Sequence, residues 1–402
     1  MLVPFFTSTF LPVRLVGEMN RTVKIAAIQM DANVAPLTER LARAETLVTR
    51  AAAAGAKVVV LPELFNLGYA YADENFHRAE LLDGPTATWM RATAARLRIH
   101  LAGSLLLLDE DEIYNALLLF APDGRMWRYD KHYPWAWERA YFRESDRITV
   151  ARTDLGNIGM MICWDAAHAE LWRRYAGHVD LMLIASSPPD GGNPVYNFPN
   201  GARITVDEMG PAFRALKDTG ACVFGATINQ QAAWLGVPAV NTVGCGQITT
   251  AIPNARAAFL AILPLAPALI KHLPYAHRLH ATYTFVPGCK IVGADGRVLA
   301  ELTQEQGETF TSAEVVLPEP HPVPQGRQPI PPVPRPAYWF ADVLIPGLVQ
   351  GVYRQGARRV WGSRMAPPRP ATQRWLLALG AIALVNYLVG WLRGRREGHR
   401  RA

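Results

Sequence analysis

The sequence has few of the residues that mark metal, disulfide or nucleotide sites. Its 402 residues include four cysteines, without CxxC spacing and without nearby histidine pairs. This pattern argues against a zinc site, and in a chain of this length it argues more strongly against a disulfide framework. There is no P-loop and no GxGxxG fingerprint, so no nucleotide-binding motif is predicted.

Lysine is also scarce, since only six of the 41 basic residues are lysines. From residue 337 to the end, 11 arginines stand against Asp342 and Glu397, so the basic excess of the chain belongs to this tail. Such a tail favours a membrane surface over nucleic acid as a partner. Residues 1–22 are an apolar N-terminal extension without the charged start or cleavage site of a signal peptide.

One stretch carries a candidate nucleophile. Residues 158–162 are a short apolar run after Gly156 and Asn157, which predicts a buried strand, and residues 166–176 predict a helix. Cys163 stands between them, where the helix dipole lowers a thiol pKa. The alternative is a small buried hydrophobe, because free cysteine is among the most buried residue types.

The remaining pattern predicts an α/β layered fold with a mixed sheet. Strand 23–30, helix 35–54 and strand 57–61 form a βαβ unit, which implies a parallel pair. The other predicted elements are helix 86–97, strand 99–107, a hairpin of 115–120 with 126–129, strand 180–185, helix 205–219, strand 221–228, and a closing hairpin of 290–292 with 297–299.

Glu63 and Lys131 join Cys163 just beyond predicted strands or hairpins, where sites in layered α/β folds gather. Singly, Glu63 is equally explained as a capping or solvated carboxylate, and Lys131 as a surface lysine after a turn. Together the three supply what thiol acyl transfer requires, namely a nucleophile, a base and a cation for the developing oxyanion.

These residues lie in recognisable motifs. Leu61-Pro62-Glu63, Tyr129-Asp130-Lys131 and Ile162-Cys163-Trp164-Asp165 resemble the Glu-Lys-Cys motifs of the nitrilase superfamily, the carbon–nitrogen hydrolases. Ile228-Asn229-Gln230 is similar to a later asparagine-containing turn of the family, and residues 288–296 are similar to its closing hairpin. The likeness covers residues 23–317.

The resemblance implies a nitrilase-like α-β-β-α sandwich that is usually a homo-oligomer. By analogy, Glu63 is the general base, Cys163 the nucleophile, and Lys131 an oxyanion donor. The implied site also includes a second glutamate, Glu138, together with the residues Trp164 and Asn229, the former through its backbone N–H.

The implied activity is hydrolysis of a nitrile or amide C–N bond through a thioimidate or thioester, with no metal or organic cofactor. The position of Glu138, seven residues after Lys131, resembles the nitrile-hydrolysing branch, whereas Asp165 and residues 61–69 resemble other branches, including amidases. Two alternatives stay open: an acyltransferase that passes the acyl group to an amine, and a non-catalytic membrane module.

The chain departs from the family at an insertion of about residues 235–284. Its residues 257–270 are uncharged and broken by two prolines, which favours a re-entrant or interfacial segment over a clean membrane span. The alternative is an apolar lid over the pocket. An interfacial insertion predicts a preference for hydrophobic amides or nitriles, because each CH₂ kept out of water is worth about 0.8 kcal/mol.

The second departure follows residue 317. Residues 318–336 are a proline-rich linker, 337–362 a basic amphipathic stretch suited to an interface, and 393–402 a basic tail. Residues 375–392 are uncharged and long enough for a transmembrane helix, with tryptophans at both ends; a dimerisation helix is the alternative. We therefore expect a lipid bilayer as partner, with the catalytic domain on the cytoplasmic face.

Overall fold

The computed structural model describes residues 21–110 and 112–362. Its strands, in chain order, are β1 (Arg21–Asp31), β2 (Val58–Val60), β3 (His100–Asp109), β4 (Glu112–Phe120), β5 (Met126–Asp130), β6 (Val150–Thr153), β7 (Gly156–Ile162), β8 (Leu181–Ala185), β9 (Val195–Asn197), β10 (Arg203–Thr205), β11 (Ala239–Asn241), β12 (Val243–Cys245), β13 (Gln247–Ala251), β14 (His280–Thr284), β15 (Cys289–Val292), β16 (Val298–Leu302) and β17 (Thr309–Leu317).

The α-helices are α1 (Leu37–Ala53), α2 (Glu74–Arg78), α3 (Pro85–Leu97), α4 (Ala169–Tyr175), α5 (Pro211–Arg214), α6 (Thr219–Cys222), α7 (Ile228–Leu235), α8 (Ala255–Ile262), α9 (Arg335–Trp339) and α10 (Ile345–Trp361). The 3₁₀ segments include Ala136–Ala140, Cys163–Ala167 and Pro267–Arg278, and π-helical turns occur at Val223–Thr227 and Phe340–Leu344.

Two mixed sheets form the centre of the molecule. One has the order β12-β1-β2-β3-β4-β5 with β17 also paired to β1, and the other has the order β16-β15-β11-β8-β7-β6. Strands β1, β2 and β3 are parallel, as are β7, β8 and β11, and antiparallel strands extend both sheets. The predicted parallel pair and the two predicted hairpins are therefore confirmed.

The side chains of β1 show how the layers pack. Ile25 and Ala27 share a buried cluster with Met160 of β7, so this face of the first sheet packs on the second sheet. Ala26 and Ile28 belong to a second cluster with the buried faces of α1 and α3. Helices α4 and α7 cover the far side of the second sheet. The predicted α-β-β-α sandwich is confirmed.

The predicted strand 221–228 is wrong, because these residues are helical from α6 through the π turn into α7. Val223, Phe224, Thr227 and Ile228 are buried, and this spacing places them on one face of a helix. A short apolar run does not by itself distinguish a buried strand from a buried helix. The strand that pairs with β8 is instead β11, further along the chain.

A small third sheet, β10-β9-β14-β13, stands beside the two central sheets. It pairs the hairpin of β9 and β10 with strands of the predicted insertion, β13 and β14. The predicted helix 205–219 is wrong over most of its length, since only α5 and the start of α6 are α-helical there. Gly210 and Pro211 interrupt that stretch and break the helix that its hydrophobic pattern predicted.

Residues 255–279, which we call the lid, hold most of the apolar run of the insertion. Phe259 and Leu269 are buried against the domain, whereas Leu260 and Ile270 are exposed. The expectation of a re-entrant segment is therefore not met, and the alternative of an apolar lid describes these residues. The prolines that disfavoured a core helix stand here between α8 and the 3₁₀ segment and within the latter.

The C-terminal part of the described chain, residues 335–361, folds back onto the domain, and we call it the strap. Its apolar face, which includes Ile345, Val349 and Tyr353, is buried. Gly356 permits the close approach, because a Cβ there would overlap the ring of Phe76. The prediction that residues 337–362 lie in a membrane interface is thus not supported: their apolar face already packs against protein.

Two further predicted segments have different outcomes. Residues 318–336 contain no regular element before Arg335, but the side chain of Gln328 donates to the Ala169 carbonyl at 2.6 Å, so this linker lies on the domain. The predicted span 375–392 and tail 393–402 lie outside the described residues. Among the helices of the described ranges, none has both the length and the apolar character that a membrane span requires.

Candidate active site

Cys163 begins the 3₁₀ turn that follows β7, and its backbone has the left-handed φ of 51°. This conformation is uncommon for residues other than glycine and is found at functional sites more often than elsewhere. Asp165 holds the turn, because its carboxylate accepts hydrogen bonds from the Ile162 N–H at 3.0 Å, the Tyr129 hydroxyl at 2.8 Å and the Tyr133 N–H at 2.8 Å. The cysteine is therefore fixed on a strained and well-supported backbone.

Glu63 follows β2 and is fully buried at its side chain. Its Oε1 accepts hydrogen bonds from Lys131 Nζ at 2.7 Å and from Asn115 Nδ2 at 2.8 Å. Its Oε2 accepts from the Ser187 N–H at 3.0 Å, and its charge is near enough to Cys163 to raise the pKa of that thiol. Residues from both central sheets thus converge on one carboxylate.

Lys131 follows β5 and lies between two carboxylates, with Nζ 2.7 Å from Glu63 Oε1 and 2.6 Å from Glu138 Oε2. Burial alone lowers the pKa of the Lys131 ammonium, but Glu138 and Glu63 more than offset this and raise its pKa. The lysine therefore carries a positive charge in the resting site.

Glu138 lies on the 3₁₀ segment after Lys131 and is 2% exposed. Its carboxylate accepts hydrogen bonds from the Trp135 N–H at 2.7 Å and from the Tyr69 hydroxyl. Burial raises the pKa of Glu138, Lys131 opposes that shift, and Glu63 adds to it. The hydrogen bonds from Trp135 and Tyr69 fix this carboxylate beside Lys131, which indicates that it holds Lys131 in place.

The thiol of Cys163 does not have the lowered pKa expected from its position in the sequence. Burial raises its pKa well above the ordinary value, Glu63 raises it further, and Lys131 opposes the shift. The expectation failed because removal from water and an adjacent carboxylate outweigh the dipole of a short turn. The thiol is consequently protonated at rest.

A cavity opens from Cys163 between the third sheet, the lid and the strap. Its lining includes Phe259 and Ile262 of the lid, Tyr196 of β9, and Ala337 and Phe340 of the strap. No charged side chain lines it within the part of the chain that the structure describes. Cys163 therefore lies on the wall of an apolar cavity.

The predicted site residues are brought together with one exception. Glu63, Lys131, Glu138 and Cys163 form the cluster, and Trp164 lines the cavity beside them. Asn229 is not among the lining residues; it lies on α7, where its backbone approaches Gly296 of the closing hairpin. The asparagine was misplaced because residues 221–228 are helical, which moves the following turn away from the site.

The architecture and the site agree with the comparison to known proteins. The family model for carbon-nitrogen hydrolases matches residues 24–322. The chain belongs to the carbon-nitrogen hydrolase family. This match leaves the strap outside, although Ala337 and Phe340 of the strap contribute to the cavity wall.

Carbon-nitrogen hydrolases of known name match shorter parts of the chain. A nitrilase of Pyrococcus abyssi is 31% identical over 148 residues, which are 36% of this chain and 56% of that protein. An N-carbamoylputrescine amidase of Solanum lycopersicum is 32% identical over 191 residues, which are 44% of this chain and 63% of that protein. The aligned regions thus span less than two thirds of either relative.

A solved structure shares the fold of this chain. A mutant amidase from Nesterenkonia sp. AN1, with acrylamide added to its active-site cysteine, has a TM-score of 0.52 and 18% identity. The match covers 72% of this chain and 92% of the amidase. At this level of identity the likeness shows the fold alone.

Sequence reasoning missed several residues that hold the Glu63-Lys131-Glu138 cluster. Asn115 and Ser187 donate to Glu63, and Tyr69 donates to Glu138. Asn115 is a fully buried polar residue within the apolar strand β4, and Ser187 follows the end of β8; both are detectable signals. Within the described residues, no group of three His, Cys, Asp or Glu side chains is arranged to hold a metal ion.

Proposed function

We propose that the protein hydrolyses a non-peptide C–N bond of a hydrophobic amide or nitrile, with Cys163 as the nucleophile. The observation that carries the proposal is the Glu63-Lys131-Glu138 cluster next to Cys163, whose side chain lines a cavity without charged residues. A thiol with a hydrogen-bonded base and an adjacent buried cation is the arrangement that acyl transfer through a covalent intermediate needs.

The first half-reaction forms the covalent intermediate. Glu63 takes the proton of the Cys163 thiol while the sulfur attacks the carbonyl carbon and the carbonyl π electrons move to oxygen. Lys131 and the backbone N–H of Trp164 stabilise this oxyanion, an effect for which one donor typically contributes about 10²–10³ in rate. The oxyanion then collapses, the C–N bond breaks, and the nitrogen takes the proton from Glu63 and leaves as ammonia or an amine.

The second half-reaction releases the acid. Glu63 takes a proton from water, whose oxygen attacks the thioester carbon, and collapse of the new oxyanion breaks the C–S bond. The thiolate recovers its proton from Glu63. A nitrile forms a thioimidate first, which water converts to the same acid and ammonia. Glu138 keeps Lys131 in place throughout, because it is already engaged with Trp135 and Tyr69.

The acyl part of the substrate is proposed to be apolar. Aromatic and aliphatic side chains dominate the cavity lining, and a charged group there would lose its hydration without gaining a partner. Each CH₂ of the substrate that enters the cavity gains about 0.8 kcal/mol. This gain favours long or aromatic acyl groups over short polar ones.

A trapping experiment tests the chemistry. The purified full-length protein is incubated with fatty amides and aryl nitriles, quenched in acid and weighed by mass spectrometry. We expect an acyl adduct on Cys163 and release of the acid, and Cys163→Ala should show neither while keeping its fold by circular dichroism. Activity retained in Cys163→Ala refutes the mechanism, and transfer of the acyl group to an added amine in place of water indicates an acyltransferase.

Attachment to a lipid bilayer and homo-oligomerisation remain part of the proposal. Support for attachment comes from the uncharged residues 375–392 in the sequence, and support for oligomerisation comes from the family resemblance. Deletion of residues 375–402 should move the protein from the membrane to the soluble fraction without loss of the trapped adduct. A full-length protein that is soluble without detergent contradicts the attachment. Light scattering of the deleted protein reports the oligomeric state.

A further inference from the structure

The lid has two faces of different character. Its inner face, with Phe259, Ile262 and Leu269, lines the cavity. Its outer face exposes three large apolar side chains, Leu260 at 46%, Ile270 at 56% and Tyr275 at 40%. Large exposed apolar patches mark sites of protein or membrane interaction, and these three side chains lie within one short segment of the chain.

The charge of the lid has a single sign. Between Asp218 and Asp295 the sequence contains no aspartate or glutamate, and the lid carries Arg256, Lys271 and Arg278, all exposed. The charge of Lys271 acts on Glu208 of the neighbouring segment, whose carboxylate already accepts two hydrogen bonds from Thr205. The outer face therefore combines exposed apolar side chains with positive charge.

We propose that the outer face of the lid docks on an anionic lipid bilayer and places the cavity of the enzyme beside the membrane. Basic residues beside inserted aliphatic and aromatic side chains are the composition by which interfacial segments bind anionic membranes. This docking is independent of the hydrolytic chemistry, and it is distinct from the predicted span 375–392 because it uses residues at the cavity itself.

A second copy of the chain fits this face less well. In a two-fold symmetric dimer the same patch meets itself, so the basic residues of each lid would face those of the other lid. Like charges placed opposite each other across an interface disfavour association. An anionic bilayer supplies charge of the opposite sign and an apolar interior in which Leu260 and Ile270 can be buried.

The lid is also connected to the rest of the site. Asn254, immediately before α8, donates through its side-chain amide to the Leu348 carbonyl of the strap at 2.8 Å. Phe259 packs edge-to-face on Phe198, which lines the same cavity. Binding at the outer face of the lid is therefore connected, through these contacts, to residues that line the cavity.

Hydrogen exchange of the lid amides in the full-length protein gives a local readout that the predicted span does not confound. Vesicles of phosphatidylcholine with 25% phosphatidylglycerol are compared with pure phosphatidylcholine vesicles and with no vesicles. We expect exchange within residues 255–279 to slow with the anionic vesicles only, and the slowing to fade at 0.5 M NaCl.

Two variants separate the lid from general electrostatics. Lys271→Glu/Arg278→Glu reverses two charges on the lid, and Lys57→Glu/Arg327→Glu reverses two exposed charges elsewhere with the same net change. Since one basic residue near an anionic surface contributes about fivefold to binding, the first variant should lose the protection of the lid and the second should keep most of it. Leu260→Asp/Ile270→Asp should also lose it.

Three results overturn the proposal. The first is that hydrogen exchange in the lid is the same with and without anionic vesicles, although the protein is bound to them. The second is that neutral and anionic vesicles slow the exchange equally, and the third is that the exchange slows with rising protein concentration in the absence of vesicles, which indicates a second copy of the chain. The adduct on Cys163 is measured in the same samples without lipid. A failure of the hydrolase chemistry is thereby distinguished from a failure of the docking.

Discussion

The ammonium of Lys131 lies 2.6 Å from the carboxylate of Glu138, seven residues further along the chain, and neither side chain is more than 2% exposed. The same ammonium lies 2.7 Å from Glu63, so one cation is shared by two buried carboxylates. A buried charge that loses its partner is strongly destabilising. The cluster is thus a determinant of stability as well as a candidate catalytic device.

Replacing Lys131 is expected to lower the free energy of unfolding by about 3–5 kcal/mol, because Lys131→Met leaves two unpaired buried carboxylates. Lys131→Met/Glu138→Gln should recover part of this loss, since only one carboxylate then stays in the pocket. Urea titrations followed by circular dichroism measure both, and Lys57→Met at an exposed site is the control. A single variant as stable as the wild type contradicts the shared-cation description.

Asn115 is expected to position the base without binding substrate. Its amide donates to Glu63 at 2.8 Å, yet it is not among the cavity lining. A hydrogen bond to a charged group contributes about 1.5–3 kcal/mol, so Asn115→Leu should lower kcat by about 10–100-fold. KM should change little, and steady-state kinetics on the substrate found by trapping measure kcat and KM separately. An increase in KM at constant kcat argues instead for a substrate contact.

The lid is expected to set chain-length specificity through its inner face. Ile262 lines the cavity and Leu260, two residues before it, is exposed on the same helix. In the wild type, kcat/KM should rise by about fourfold per added CH₂ until the cavity is filled. Ile262→Asn should flatten this dependence in a lipid-free assay, whereas the matched variant Leu260→Asn should preserve it. The idea fails when both variants keep the wild-type series.

The strap is expected to couple pH to stability through Asp342. Its carboxylate accepts a hydrogen bond from the Trp164 indole at 3.1 Å and lies 3.6 Å from His168. Burial raises the pKa of Asp342 to about 6, so the folded state holds this proton more tightly, and stability falls as pH rises from about 4 to about 6. Burial lowers the pKa of His168 to about 4, which makes stability rise with pH between about 4 and 6.5.

These two slopes oppose each other in the wild type. Asp342→Asn removes the fall in stability that the Asp342 carboxyl causes. The free energy of unfolding of this variant should therefore rise with pH more steeply than that of the wild type, by roughly 2 kcal/mol between pH 4 and pH 6. Urea denaturation across that range measures the slope. The exposed control Asp83→Asn should keep the wild-type slope. An unchanged slope in Asp342→Asn removes this carboxylate as the cause.

The sequence was sufficient to predict the layered fold and the residues that form the candidate cluster. Buried strands have nearly continuous apolar runs, and Glu63, Lys131 and Cys163 follow such runs directly, so their places at strand ends are local properties of the chain. The predicted position of Asn229 in the site was wrong because the apolar pattern of residues 221–228 fits a strand and a buried helix equally well. That choice depends on which surface the segment covers, and a local pattern does not contain it.

Tertiary structure alone decided what the apolar segments of the lid and strap cover. Phe259, Phe340 and Ile345 have the same hydrophobic character whether they face lipid or protein, because apolar burial has no direction of its own. The pKa of Cys163 was decided in the same way, since it depends on burial and on Glu63, a hundred residues earlier in the chain. Residue order determined which groups form the candidate site, and only the packing of distant segments determined what encloses them.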